Sequence, residues 1–213
     1  HRINRAALHA FTRITAFRAD LMLGLSFYPF EADHEHRVRI VPPLLRREVR
    51  ELPTTRGDYL LVYLLNEGYK SEIVNWHNRH PETEIHCFTD DRTIKDEQRI
   101  DATLTFHQLS GEKFLRMMAG ARALVSTAGF ESISEGMYMG KPALMVPVVN
   151  HYEQFLNSRD AFKAGAGVYA SHFDIDKLME LVEKGYRPPE SFREWVDRAE
   201  PLVAGHLKRL LAR

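Results

Sequence analysis

Much that would announce a function is missing from this sequence. Its 213 residues hold a single cysteine, Cys87, so a disulfide framework is excluded and a reducing, cytoplasmic setting is expected. Basic and acidic residues number 29 each, so no global field directs the chain to nucleic acid or to an anionic membrane. Any anion it binds must be held by a local site. No apolar run reaches the roughly 18 residues that a membrane-spanning helix needs, and the first residues do not read as a secretory leader. Neither a GxGxxG nor a Walker pattern occurs, which removes the two commonest phosphate-loop signatures. His34-Glu35-His36 has the right side chains for a metal, but it sits in a polar connector without further Cys or His at zinc spacing. The chain opens on His1 rather than Met, and the expectation is that a partner half precedes it.

What is present is a rhythm. Short apolar or β-branched runs at 59–65, 84–88, 102–106, 123–126 and 143–147 alternate with helical patterns near 69–79, 110–120, 131–139 and 153–164. Near-continuous apolar strands suit burial on both faces. Strand followed by helix, repeated, predicts an α/β, Rossmann-like parallel sheet with helices on both faces. Beyond it, 175–185 reads as an amphipathic helix with Asp174 as N-cap, and one long helix is expected from about Ser191 towards Arg213. Residues 2–18 read as a helix, 21–27 and 37–41 as strands, and 46–55 as a charged linker. The division expected is therefore 1–50 as the end of an N-terminal domain with its linker, and 51–213 as a second domain.

Open parallel sheets bind ligands at the carboxyl ends of their strands, which directs attention to five loops. Asn66-Glu67-Gly68 offers one glycine before a helix, enough for a tight turn and a weak signal for phosphate. Asp90-Asp91 has the chemistry of a metal–diphosphate holder, but with no third ligand nearby it reads first as an ordinary turn. Phe106-His107 and Gln108 end a strand where a planar base would stack, with Ser110 a plain cap for the next helix. Ser132 and Glu135 are spaced as a capping box. That leaves the small residues Thr127, Ala128 and Gly129 in front unexplained, and small residues before a helix leave room for an anion at its positive end. After the last strand, Glu153-Gln154 with Asn157 suits a polyhydroxylated ligand, because a carboxylate accepts and an amide does both.

Taken in order, residues 126–167 resemble the donor half of a GT-B glycosyltransferase, similar to the C-terminal domains of the MurG-like and UDP-glycosyltransferase families. The shared order is a small turn, Ser132 and Glu135, Gly-x-Pro at 140–142, an apolar strand to Pro147, Glu153-Gln154 before Asn157, and Gly165-Ala166-Gly167. The resemblance implies that Glu135 binds ribose hydroxyls and that the backbone of Gly129, Phe130, Glu131 and Ser132, with the Ser132 hydroxyl, holds the diphosphate. It implies that Glu153 and Gln154 meet the sugar, that Phe106 and His107 flank the base, and that Asn66, Glu67 and Gly68 close on phosphate or acceptor. Thr127 and Ala128 stand where the families carry other residues, and Asn66-Glu67-Gly68 is shorter than a full glycine-rich loop. The implied reaction is inverting, metal-independent transfer from a nucleoside-diphosphate sugar, UDP-GlcNAc for example, to a glycan or lipid-linked acceptor in cell-envelope glycan synthesis. The catalytic base is expected outside the chain, with peripheral association at the inner membrane face open for a longer protein. A nucleotide-sugar 2-epimerase and a non-catalytic nucleotide-sugar binding module are the alternatives.

Overall fold

The computed structural model describes residues 2–31, 37–64 and 67–212. The chain opens with helix α1 (Arg2–Thr15), strands β1 (Met22–Leu25) and β2 (Val38–Val41) and the short helix α2 (Arg47–Glu51). Then follow β3 (Leu60–Leu64), a one-turn 3-10 helix (Glu67–Tyr69), α3 (Lys70–His77), β4 (Ile85–Thr89), β5 (Glu97–Arg99) and β6 (Leu104–Gln108). Next come α4 (Gly111–Gly120), β7 (Ala123–Ser126), α5 (Phe130–Tyr138), β8 (Ala143–Met145), α6 (Tyr152–Lys163) and β9 (Gly167–Tyr169). Helices α7 (Ile175–Glu183), α8 (Glu190–Asp197) and α9 (Ala199–Leu211) complete the chain.

Among the described residues, β1 and β2 form a small parallel pair and the other strands one sheet in the order β5-β6-β4-β3-β7-β8-β9. All its pairings are parallel except that of the edge strand β5. The alternation of side chains along a strand explains why the strands read as unbroken apolar runs. Leu60, Val62 and Leu64 face a core shared with α3 and α7. Leu61 faces the opposite core, with Phe88 and Leu124, against Phe114 and Met118 of α4, Ile133 and Met137 of α5, and Phe192 and Val196 of α8. Both faces are dry, so the alternation is between two cores rather than between core and water.

Two expectations change, and two strands are new. The long C-terminal helix is two helices that meet at Arg198. Pro201 lies in the first turn of α9 and has no N–H to return to Asp197, so the ladder restarts with the Leu202 N–H on the Arg198 carbonyl at 3.2 Å. The stretch 46–55 is not a free linker: it contains α2, and the Thr55 N–H bonds the Ala119 carbonyl at the end of α4 at 3.0 Å. Strands β5 and β9 have three residues each, too few for any periodicity to show. The N-terminal segment docks onto the main body: Trp195 Nε1 donates to the Ser26 carbonyl at 3.0 Å, and the Phe27 ring lies 4.6 Å from that of Phe130.

Candidate functional site

From β3 at the middle of the sheet, the chain proceeds to β4 and β6 on one side, then crosses to β7 on the other. Where connections diverge in this way, the loops separate and leave a crevice at the carboxyl edge. A cleft of about 970 Å³ lies there. Its floor and walls are Tyr63 of β3, residues 109–111 and Phe114 after β6, and residues 129–132 with Ser134 and Glu135 after β7. Glu153 at the start of α6 closes one side, and residues 43–46 with Leu25 close the other.

The turn from β7 into α5 is tightly built. Thr127 and Ala128 are buried, and Ala128 adopts a left-handed backbone with φ of 61°, a conformation that costs a non-glycine residue about 1–2 kcal/mol. The Asn157 amide donates to the Ala128 carbonyl at 3.3 Å and holds this turn in place. The helix begins three residues earlier than a capping box at Ser132 requires. Gly129 is the N-cap and supplies no side-chain oxygen, so the first-turn N–H groups and the positive end of α5 are left without a side-chain cap. Ser132 lies within the first turn, its Oγ donating to the Gly129 carbonyl at 3.2 Å and lying 3.3 Å from Ser126 Oγ.

Glu135 does not reach back to the backbone. Its two carboxylate oxygens accept from Arg46 Nε at 2.7 Å and Nη2 at 2.8 Å, a bidentate pair. The Glu135 side chain is 6 % exposed and the Arg46 side chain 45 %. The bond to Glu135 holds the Arg46 pKa above its ordinary value. Arg46 is the main residue that sequence reading missed. It sits in a charged run, and its partner is 89 residues away, so no local pattern marks it. Leu109, Ser110 and Gly111 lie in one of the five loops singled out, while Tyr63 and Phe114 were not expected as lining residues.

Other expected residues divide. Phe130 and Glu131 line the cleft, as does Glu153. Gln154 turns inward, its Oε1 accepting the Val148 N–H at 2.9 Å, while His151 Nδ1 caps α6 by accepting the Gln154 N–H at 3.3 Å. Gln154 and Asn157 thus shape the loops that frame the cleft. Phe106 and His107 do not frame a base as placed here. Pairing of β6 continues to Gln108 on the β4 side and to His107 on the β5 side, which carries both side chains inside the sheet layers. Phe106 is in the core on the α3 side, with Lys70 Nζ 4.8 Å from its ring centre. His107 stacks on Phe88 at 4.9 Å and shares a 2.9 Å hydrogen bond with His86. Burial, aided by the Lys113 and His86 charges, lowers its pKa to about 4.

Asn66 and the His34-Glu35-His36 group lie outside the described residues. Gly68 is exposed within the 3-10 turn. Asp91 is engaged by Lys70 at 2.5 Å and by Thr93, which hold its carboxyl down at about 2. Among the described residues no group of three His, Cys, Asp or Glu is placed to hold a metal, and no helix is long and apolar enough to cross a membrane.

The sequence model of glycosyl transferase family 1 matches residues 1–184. No curated protein sequence matches the chain. Among solved structures, CalG4, the calicheamicin glycosyltransferase, is similar at 17 % identity with a TM-score of 0.57, covering 97 % of this chain and 59 % of its own. The glycotransferase of kitacinnamycin is similar at 17 % identity and a TM-score of 0.57, covering 88 % and 51 %. Arabidopsis thaliana UGT89C1, solved with UDP-L-rhamnose, is similar at 15 % identity and a TM-score of 0.52, covering 84 % and 49 %. The chain therefore spans about half the length of the structures it resembles, with the fold of one Rossmann-like half of a GT-B glycosyltransferase. Matched over 184 of its 213 residues, the chain belongs to glycosyl transferase family 1.

Proposed function

We propose that the carboxyl-edge cleft binds a nucleoside-diphosphate sugar and that the sugar passes, with inversion, to an acceptor hydroxyl. Residues 51–213 form the donor-binding domain in this reading, and 1–50 the end of an acceptor-binding domain with the crossing between the two. The observation that carries it is a convergence on one cleft: the helix N-terminus without a side-chain cap and the buried carboxylate of Glu135 face the same space. The departing diphosphate gains negative charge as the glycosidic bond breaks. A fixed helix dipole and first-turn N–H groups aimed at that charge favour the transition state over the ground state. No metal is called on. Glu135 serves the ribose diol by exchanging its two Arg46 hydrogen bonds for two hydroxyls, which leaves the guanidinium beside the diphosphate. Glu153 meets the sugar from the first turn of α6, and the 109–111 loop with Tyr63 takes the base side. The general base comes from the acceptor-binding part.

UDP is the nucleotide to try first, since UGT89C1 was solved with UDP-L-rhamnose. Calorimetric titration with UDP, GDP and TDP is the test. Saturable binding of UDP is expected, and no binding of any of the three at millimolar ligand removes the donor-site reading.

A further inference from the structure

The strands that end at the cleft begin at the opposite edge of the sheet, where a second cavity of about 100 Å³ collects positive charge. Its wall carries Arg56, Arg122, Lys141 and Arg187 and no carboxylate, in a chain whose acids and bases balance at 29 each. Two of the four cations have local duties. Lys141 is 3 % exposed and donates to the carbonyls of Thr55, Ala119 and Ala121, the last two at 2.7 and 2.8 Å, which closes the end of α4. Arg56 donates to the Val182 carbonyl near the end of α7 at 2.7 Å.

Carbonyls satisfy hydrogen bonds without cancelling charge. The ends of α4, α5 and α7 border the cavity, and at about half a negative charge each they leave roughly +2.5 uncompensated. Among the described residues neither Arg122 nor Arg187 has an acidic partner. Burial, with a contribution from Arg187, pushes the Lys141 ammonium down to about 8. Four cations crowd one pocket, and no carboxylate lines it to neutralise them.

We propose that this cavity is a binding site for a tetrahedral oxyanion of the phosphate class, held by Arg122 and Arg187 against the charge of Lys141. The size supports a compact ligand: the cavity is about 100 Å³ against about 970 Å³ for the carboxyl-edge cleft, which suits one small anion. The ligand is inorganic phosphate or the exposed phosphate of an anionic lipid headgroup, which present the same chemistry. The site is separate from the carboxyl-edge cleft and stands whether or not that cleft binds a nucleotide.

The test is calorimetric titration of the whole chain with inorganic phosphate at fixed ionic strength. One saturable site is expected, and Arg122→Gln and Arg187→Gln should each weaken it about tenfold or more, as loss of a charge-assisted hydrogen bond does. In phosphate-free buffer Arg187→Gln should melt at the same temperature or higher, since it removes repulsion, which separates lost binding from lost folding. Flotation with vesicles of phosphatidic acid in phosphatidylcholine distinguishes the sources. Vesicle binding that both variants lose assigns a headgroup, and phosphate binding without vesicle binding assigns the free anion. The proposal is overturned by no saturable heat up to roughly 10 mM phosphate together with no vesicle binding. It is overturned equally if both variants bind phosphate and vesicles as the wild type does.

Discussion

The Arg46–Glu135 pair can be taken apart one partner at a time, and burial predicts that the two halves are unequal. Removing the guanidinium with Arg46→Met strands a carboxylate that is only 6 % exposed. Breaking a buried pair costs about 3–5 kcal/mol, and partial access through the cleft lowers that to about 2–4. Removing the carboxylate charge with Glu135→Gln leaves the Arg46 side chain, 45 % exposed, to rehydrate, at a cost of about 1–2 kcal/mol. The double variant buries neither charge, so its destabilisation should fall short of the sum by about 1–3 kcal/mol. Urea unfolding followed by circular dichroism at pH 7 measures all four proteins. Additivity within about 0.5 kcal/mol, or Glu135→Gln costing more than Arg46→Met, refutes the reasoning. The same variants report on the site. If Glu135 exchanges Arg46 for a ribose diol, Glu135→Gln weakens UDP binding about tenfold or more, and saturating UDP lowers the interaction energy between the two residues.

Two further outcomes follow from the geometry. The folded-state pKa of His107 is about 4, below its ordinary 6.5, so the unfolded chain takes up this proton first as pH falls. Its contribution is complete above pH 6.5 and is lost towards pH 4, at up to about 1.4 kcal/mol per pH unit. Urea midpoints between pH 4.5 and 7 should show a slope that is shallower in His107→Gln, and an unchanged slope would contradict the assignment. Gly167 has φ of 143°, and an added Cβ would lie 2.3 Å from the Ala143 carbonyl oxygen and 2.7 Å from its nitrogen. Gly167→Ala should therefore cost about 3 kcal/mol or more, while Gly140→Ala, at φ of 73° with open space around it, should cost about 1 kcal/mol. Equal costs in thermal or urea unfolding would show that the β8–β9 approach is not what requires the glycine.

The 165–167 motif shows how legible the chain was. Its glycines stand out in the sequence, yet the reason for Gly167 is the seating of β9 against Ala143 of β8, and that for Gly165 is a φ of 83° against Pro189. The capping box shows the opposite case. Ser132 and Glu135 have the right spacing, but the uncapped start at Gly129 and the distant partner Arg46 outweigh it. Phe106 and His107 failed as cleft residues because strand length depends on neighbouring strands. Pairing with β4 extended β6 two residues past Phe106, which drew the His107 ring inside, while the Phe106 ring turned to the core on the α3 side.

By itself the sequence determined the alternation of the five apolar strands with helices, the parallel sheet and the edge at which the loops gather. Those follow from periodicity and from apolar runs that only a twice-covered sheet can bury. The tertiary structure alone decided which loops meet. It placed β3 between β4 and β7, brought Arg46 to Glu135 across 89 residues, and gathered Arg56, Arg122, Lys141 and Arg187 at the opposite edge. Side chains so far apart in the chain become neighbours only through strand order, and strand order is fixed by packing that no local stretch encodes.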